Sequence, residues 1–204
     1  QGVARHADRR TALAFLGMLG SEASGIDFYR QQPADAVINA DVVPEGYFDG
    51  VKTVAFTGTH IADPEAFENL ASVIQLARNS GAEFVLDIDY RQDLWASFKG
   101  GLQSSIERVI EFAILCSMIV GNSEEIALLD ILEAQWSRDM HVIRKLGRDG
   151  AAWDHAGDTV VANGISIAVV NPVGAGDAFL GNLLAGRLAG AGRHLALRRG
   201  NAAG

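Results

Sequence analysis

With 204 residues, 49% of them hydrophobic, and no long run of charge, the chain can bury a core as one domain, or as one domain with a small appendage. A net charge of −8 with no basic cluster to offset it excludes nucleic acid or an anionic membrane as the main partner and favours a small metabolite. The single cysteine, Cys116, lies in the apolar run 112–120 and reads as a buried core thiol suited to a reducing cytoplasm, and no apolar stretch approaches membrane-spanning length.

Residues 1–50 differ from the rest. Segments 11–17, 26–30 and 36–43 are short and β-prone, and Gly, Ser, Gln and Pro separate them, which predicts a small β lid and its connection. Over 51–204, apolar strand-like runs alternate with amphipathic helical patterns, the mark of an α/β core with a mostly parallel central sheet flanked by helices. The predicted strands are 51–56, 84–88, 115–120, 142–146 and 165–170. After the first, Asp63 is placed to cap a helix that Pro64 begins and Gly81 ends, with Phe67, Leu70, Ile74 and Ala77 on one face. Ile106, Val109, Ile110 and Ala113 mark a second helix, Ser123 is placed to cap a third over 124–132, and a last is expected over 175–189. Segments 151–154 and 159–162, joined around Gly157, read as a hairpin at the sheet edge.

Open parallel sheets bind ligands in the crevice beyond the carboxyl ends of their strands, and polar residues gather at those ends here. Thr57-Gly58-Thr59-His60 follows the first run, Asp87, Asp89 and Arg91 close the second, Asn122 and Glu125 follow the third, and Asp177 follows the last. Gly174-Ala175-Gly176 at a helix start lets backbone N–H groups converge, with the positive dipole end behind them, so an anion is favoured there. Asp177 beside that spot repels phosphate unless it handles a hydroxyl attacking the phosphate, which points to phosphoryl transfer. The plainer reading is a tight turn with an acidic helix start. Asn122-x-x-Glu125 is likewise open to being a strand-to-helix turn with a solvated first-turn glutamate. Asp87 and Asp89 alternate along a strand and share a face that Arg91 continues. They either form an ion pair at the sheet end or leave Arg91 to grip a carboxylate bidentately, a task for which Arg30 on the lid is a second cation. The five histidines lack metal-pair spacing, and only His60 has a suggestive location. Phe179 stands where a dinucleotide fingerprint needs its third glycine, no Walker A loop is present, and Trp95, Trp136 and Trp153 do not interleave with basic residues.

Asn171-Pro172-Val173-Gly174-Ala175-Gly176-Asp177-Ala178-Phe179, running on through Gly181 to Gly186, resembles the Asp-Thr-x-Gly-Ala-Gly-Asp signature of the ribokinase-like (PfkB) sugar kinases. Leu86-Asp87-Ile88-Asp89-Tyr90-Arg91 with Leu94-Trp95, Gly121-Asn122-Ser123-Glu124-Glu125, and Lys145-Leu146-Gly147-Arg148-Asp149-Gly150 agree with the family in the same order. Arg9 to Phe15, Phe28-Tyr29-Arg30 and Asp89 are most similar to its kinases of deoxy-keto sugar acids of the 5-dehydro-2-deoxygluconate type.

The resemblance implies a ribokinase-like fold and transfer of the ATP γ-phosphoryl group to a primary hydroxyl of such an acid. It implies Asp177 as base and the N–H groups of Gly174, Ala175 and Gly176 as stabilisers of the phosphoryl oxygens. Asn122, Gly147, Gly150 and Asn201 would line the nucleotide site, Mg²⁺ would be held by Glu125 and Asn122 through water, and Arg91, Asp89 and Arg30 would bind substrate. A homodimer through the β lid is also implied. A neutral sugar such as fructose or ribose, and a non-catalytic sugar- or nucleotide-binding relative, are the alternatives. Asn171 and Pro172 depart from the signature's leading Asp and Thr. The resemblance starts inside the lid and stops at Gly204, without the family's N-terminal strand and Gly-Gly sugar turn or its following helix. The expectation is a portion of a longer kinase, poorly folded and inactive alone.

Overall fold

Strand β1 (Leu13–Leu19) and β2 (Glu22–Tyr29) pair antiparallel as a two-stranded sheet, a small sheet as expected for this portion. The structure, a computed structural model, describes residues 5–19, 22–129, 139–168 and 173–204. The expected lid strand over 36–43 is instead two short 3₁₀ turns, Ala34–Val37 and Ala40–Val42. Local hydrogen bonding overrides β propensity there: the Asn39 side chain accepts from the Asp41 N–H at 3.0 Å and turns the chain. Asn69 then donates to the Ala36 carbonyl at 3.0 Å, fixing this connection on the core.

The core alternates β3 (Thr53–Thr57), α1 (Gly58–Ala62), α2 (Pro64–Asn79), β4 (Glu83–Asp87), α3 (Gln92–Ser97), α4 (Gly101–Ala113), β5 (Met118–Asn122), α5 (Ser123–Leu128) and β6 (His141–Lys145). The hairpin β7 (Gly150–His155) and β8 (Asp158–Asn163) follows, then α6 (Ala175–Leu188) and α7 (Arg193–Ala203). The described core strands form one sheet in sequential order, β3 to β6 parallel and β6 to β8 antiparallel. The Asp63 side chain accepts from the N–H groups of Glu65 and Ala66, capping α2 as expected.

Side-chain alternation along the strands splits the core in two. Phe84, Leu86, Ile88 and Ile119 pack in one cluster with Leu70 and Ile74 of α2 and Val109 and Phe112 of α4. Val85, Met118, Val120 and Ile143 pack in the other with Phe179, Leu180 and Leu183 of α6 and Ala196 and Leu197 of α7. Each of these Val, Leu, Ile, Phe and Met side chains contributes about 1.5–3 kcal/mol when fully buried. Cys116 is buried as expected, and burial pushes its thiol up to about 12.

Two further expectations fail. No strand occupies 165–168, where Ile165 and Ile167 are exposed and burial gives pairing nothing to gain; 169–170 lie outside the described residues. The third core helix is capped by Asn122, not Ser123, and runs to Leu128; 130–132 again lie outside the described residues. Among the described residues, no helix is long and apolar enough to cross a membrane.

Candidate active site

The sheet register decides what meets at the carboxyl ends of the strands. Asp87 ends β4 opposite Val120 of β5, and Val120 is opposite Ile143 of β6, two residues before Lys145. Asp87 shares its strand face with Val85, and Lys145 shares its own with Ile143, so both turn toward α6. Lys145 Nζ donates to Asp87 Oδ1 at 2.8 Å across the intervening strand. The Asp87 side chain is only 5% exposed, and burial, opposed by the Lys145 ammonium, raises its carboxyl to about 6. This partner was missed in the sequence, because Lys145 was read only as part of a motif.

Helix α6 starts above that pair. Gly174 takes a left-handed conformation (φ +80°) immediately before the helix, open to glycine at little cost. Gly176 has no such backbone demand, and among the described residues outside its own helix a methyl built on it would meet only Lys145 Nζ, at 3.7 Å. Asp177 follows in the first turn, exposed, with no ion pair to the described residues. Asn171 and Pro172, the departures from the signature, lie outside the described residues.

Ala175 and Gly176 line a cleft of about 1110 Å³ together with Lys145, Gly147, Gly150 and Asn201. Three of the four expected nucleotide-site positions, Gly147, Gly150 and Asn201, thus line one cleft with Ala175 and Gly176 of the expected anion hole, whereas the fourth, Asn122, does not line it. Two of them also have a plain structural task. A Cβ on Gly150 would sit 2.1 Å from the Ala162 carbonyl oxygen, and the Asn201 amide donates to the carbonyls of Ala162 and Asn163 at 3.0 Å each. Asn201 thus keeps its side-chain oxygen free of those two bonds.

Asn122 and Glu125 form a reciprocal capping box at α5. Asn122 Oδ1 accepts from the Glu125 N–H at 2.8 Å, and Glu125 Oε2 accepts from the Asn122 N–H at 2.7 Å. Glu125 Oε1 accepts from the Tyr90 N–H at 3.0 Å. The reading of a solvated glutamate is corrected: Glu125 is buried, and it ties the turn after β4 to the start of α5. Each carboxylate oxygen keeps a further lone pair, so a cation held through water fits this arrangement, whereas direct ligation competes with the two N–H donors. Among the described residues, no group of three or more acidic, histidine or cysteine side chains is placed to hold a metal ion.

The substrate-side residues are separate from the cleft lining. Strand β4 ends before Asp89, which takes a left-handed conformation (φ +41°), so the expectation that Asp87 and Asp89 alternate along one strand fails. Asp89 pairs with Arg91 at 2.6 Å and accepts from Thr59 Oγ1 at 3.3 Å. Burial raises its carboxyl, with the Arg91 guanidinium pulling the other way. Of the expected ion pair at the sheet end, Asp89 and Arg91 form it, while Asp87 pairs instead with Lys145, which neither reading named. Arg30, after β2, pairs with Asp35 at 2.6 Å, and the His60 Nε2–H donates to the Asp35 carbonyl at 3.1 Å. The suggestive placement of His60 thus becomes a contact with the 3₁₀ turn Ala34–Val37.

A family model described as pfkB family carbohydrate kinase matches residues 1–204. The chain is 27% identical to the 5-dehydro-2-deoxygluconokinase of Shouchella clausii (strain KSM-K16), over 95% of this chain and 61% of that relative. It is 24% identical to the protein of that name from Bacillus subtilis (strain 168), over 95% of this chain and 62% of the relative. The chain thus spans about three fifths of the length of these relatives. Among solved structures, an uncharacterized sugar kinase from Pyrococcus horikoshii superposes with a TM-score of 0.83 at 22% identity, covering 99% of this chain and 65% of that one. A Vibrio cholerae O395 fructokinase double mutant, in a form with fructose, ADP and potassium ion bound, superposes with a TM-score of 0.76 at 21% identity, covering 96% and 66%. These likenesses show the ribokinase-like α/β fold.

Proposed function

The chain belongs to the pfkB family of carbohydrate kinases, and from that premise we propose that the protein transfers the ATP γ-phosphoryl group to a primary hydroxyl of a deoxy-keto sugar acid of the 5-dehydro-2-deoxygluconate type. The observation that carries the reading is Asp177, exposed and without an ion pair to the described residues, one residue beyond glycines at a helix start that opens onto a large cleft. A carboxylate is a weak base for a sugar hydroxyl. Its larger contribution is to orient that hydroxyl and accept its proton late, as charge passes to phosphate. The N–H groups of Gly174, Ala175 and Gly176, with the helix dipole behind them, stabilise the transferring oxygens. Gly147, Gly150 and the free side-chain oxygen of Asn201 line the nucleotide side. Mg²⁺, when bound, supplies neutralisation of phosphate charge, and Asn122 and Glu125 hold it through water.

Arg91, Asp89 and Arg30 form the substrate side, with residues 1–50 as the lid and its connection and 51–204 as the core. Exposed Leu13, Phe15, Ile26 and Tyr29 on the two-stranded sheet support a homodimer through the lid. A cytoplasmic location suits the buried free thiol. One observation favours the neutral-sugar alternative: Arg91 and Arg30 are each already paired with a carboxylate of the chain, so a sugar acid competes for them.

The test is ADP release by the full protein with Mg-ATP and a panel of sugar acids and neutral sugars, for the parent and Asp177→Asn. Turnover with a deoxy-keto sugar acid should exceed that with fructose or ribose. Asp177→Asn should lower it by about 10²–10⁴-fold, while nucleotide affinity changes little. Preference for a neutral sugar replaces the substrate assignment, and turnover within a few fold of the parent removes Asp177 from the chemistry.

A further inference from the structure

We propose that Lys145 is a further catalytic residue that contacts the terminal phosphates of the nucleotide, with Asp87 as the residue that positions it; this rests on the reading of the cleft as a nucleotide site. Three observations converge on the ammonium. It lines the same cleft as Ala175 and Gly176. It lies 3.7 Å from where a Gly176 methyl would stand, so it faces the first turn of α6 from across the sheet end. And it is held at 2.8 Å by a carboxylate that is itself only 5% exposed.

Gly176 supplies the second argument. Its backbone conformation suits any residue, and among the described residues outside its own helix a side chain there would meet Lys145 Nζ at ordinary contact distance. The ammonium and the N–H donors of the helix start therefore border the same cleft, a cation beside a set of donors. Phosphate oxygens are the chemistry that satisfies both. Lys145 has three N–H donors, of which the Asp87 bond takes one, leaving donors for a ligand.

The Lys145–Asp87 pair itself is poorly explained by stability. Removing two charges from water costs several kcal/mol per ion, and well-packed apolar residues of the same volume commonly serve a fold as well or better. A positioning role accounts for the arrangement: Asp87, anchored at the end of a central strand, fixes the direction of a long, rotamer-rich side chain before a ligand arrives. The other acidic groups around Asp87 are Asp89 and Glu125, engaged respectively by Arg91 and by two backbone N–H groups. Lys145 is thus the cation that Asp87 holds toward the cleft. Arg148, in the adjacent turn, adds positive charge to the same lining.

The experiment measures calorimetric affinities of the full protein for ATP, ADP and AMP without sugar. The parent is compared with Lys145→Met, Lys145→Arg, Asp87→Asn, Asp87→Glu and the double variant Lys145→Met/Asp87→Asn, the last of which leaves no unpaired buried charge. Lys145→Met and the double variant should weaken ATP about 10–100-fold and AMP less than about 3-fold, because the lost donor is charge-assisted and reaches only the outer phosphates. Lys145→Arg should recover part of the ATP affinity. Asp87→Asn should show the same ATP-selective order with a smaller loss, and Asp87→Glu should rescue it. Equal losses for ATP and AMP, or none, in a folded double variant would overturn the role of Lys145 and leave the kinase reading standing. A parent that binds none of the three nucleotides would overturn both.

Discussion

Replacing Glu125 separates its structural task from any part in holding a cation. Its two oxygens accept from the Tyr90 N–H at 3.0 Å and the Asn122 N–H at 2.7 Å, both charge-assisted, and its side chain is buried. A hydrogen bond to a charged group contributes about 1.5–3 kcal/mol. Asn122 is exposed, so its N–H can rehydrate when the carboxylate is lost, and the total falls toward the lower end. Glu125→Ala should therefore cost about 2–4 kcal/mol. Glu125→Gln keeps one acceptor but sets an NH₂ against a backbone N–H, and should cost about 1.5–3 kcal/mol. With an m-value of about 2 kcal/mol/M, the urea midpoint should drop by about 1–2 M for Glu125→Ala. Glu125→Gln should also raise the Mg²⁺ concentration for half-maximal activity, and it should raise the KM of the sugar, because the Tyr90 N–H it releases lies between Asp89 and Arg91. A midpoint shift below about 0.3 M for both variants would refute the account of Glu125 as a clamp between strand ends. An unchanged Mg²⁺ dependence with a shifted midpoint would leave it that structural task alone.

His141 packs against His155 with ring centroids 3.8 Å apart, and its Nδ1 accepts from Trp153 Nε1 at 3.0 Å, which requires that nitrogen unprotonated. Burial first, and His155 second, lower His141 to about 4. The folded value lies below the unfolded ~6.5, so its contribution to stability is complete above that pH and is lost as pH falls from ~6.5 toward 4. Asp87, raised to about 6, runs the opposite way: its contribution is present below ~4 and lost as pH rises through 6. The difference in Tm between parent and His141→Gln should therefore shrink steadily below pH 6.5; a constant difference from pH 8 to 4.5 refutes the neutral-histidine account. Gly176→Ala should leave Tm within about 3 °C yet weaken ATP at least 10-fold, whereas Gly150→Ala, with its Cβ 2.1 Å from a carbonyl oxygen at φ +104°, should lower Tm by several degrees. Intact ATP affinity in Gly176→Ala would remove the Gly176 side of the cleft from the nucleotide site.

Much of the fold was legible because its signals are local. Asp63-Pro64 and the spacing of Leu70, Ile74 and Ala77 mark α2, and Gly157 between two short apolar segments marks the β7–β8 hairpin, from neighbours a few residues apart. The same local patterns misled where a side chain bends the chain, at Asn39-Ala40-Asp41, and over 165–168, which form no strand and stay exposed. For the candidate site, Gly174-Ala175-Gly176-Asp177 was readable because a glycine turn and a helix start are adjacent in the chain. Asn122 and Glu125 were readable as a pair but not as a buried clamp, since the Tyr90 N–H that Glu125 holds is 35 residues away.

The sequence by itself determined the alternation of strand and helix, the two apolar faces of the central strands and the glycine-flanked Asp177, all set by periodicities of two and 3.6 residues and by backbone chemistry within one turn. Tertiary structure alone decided which charges meet. Asp87 reaches Lys145, 58 residues on, because both strands run parallel beside β5 in a register that puts the two side chains on one face, at diagonal positions one strand apart. A register shift of one residue would send Lys145 to the opposite face and leave the buried carboxylate alone, and no pattern within either segment specifies that alignment.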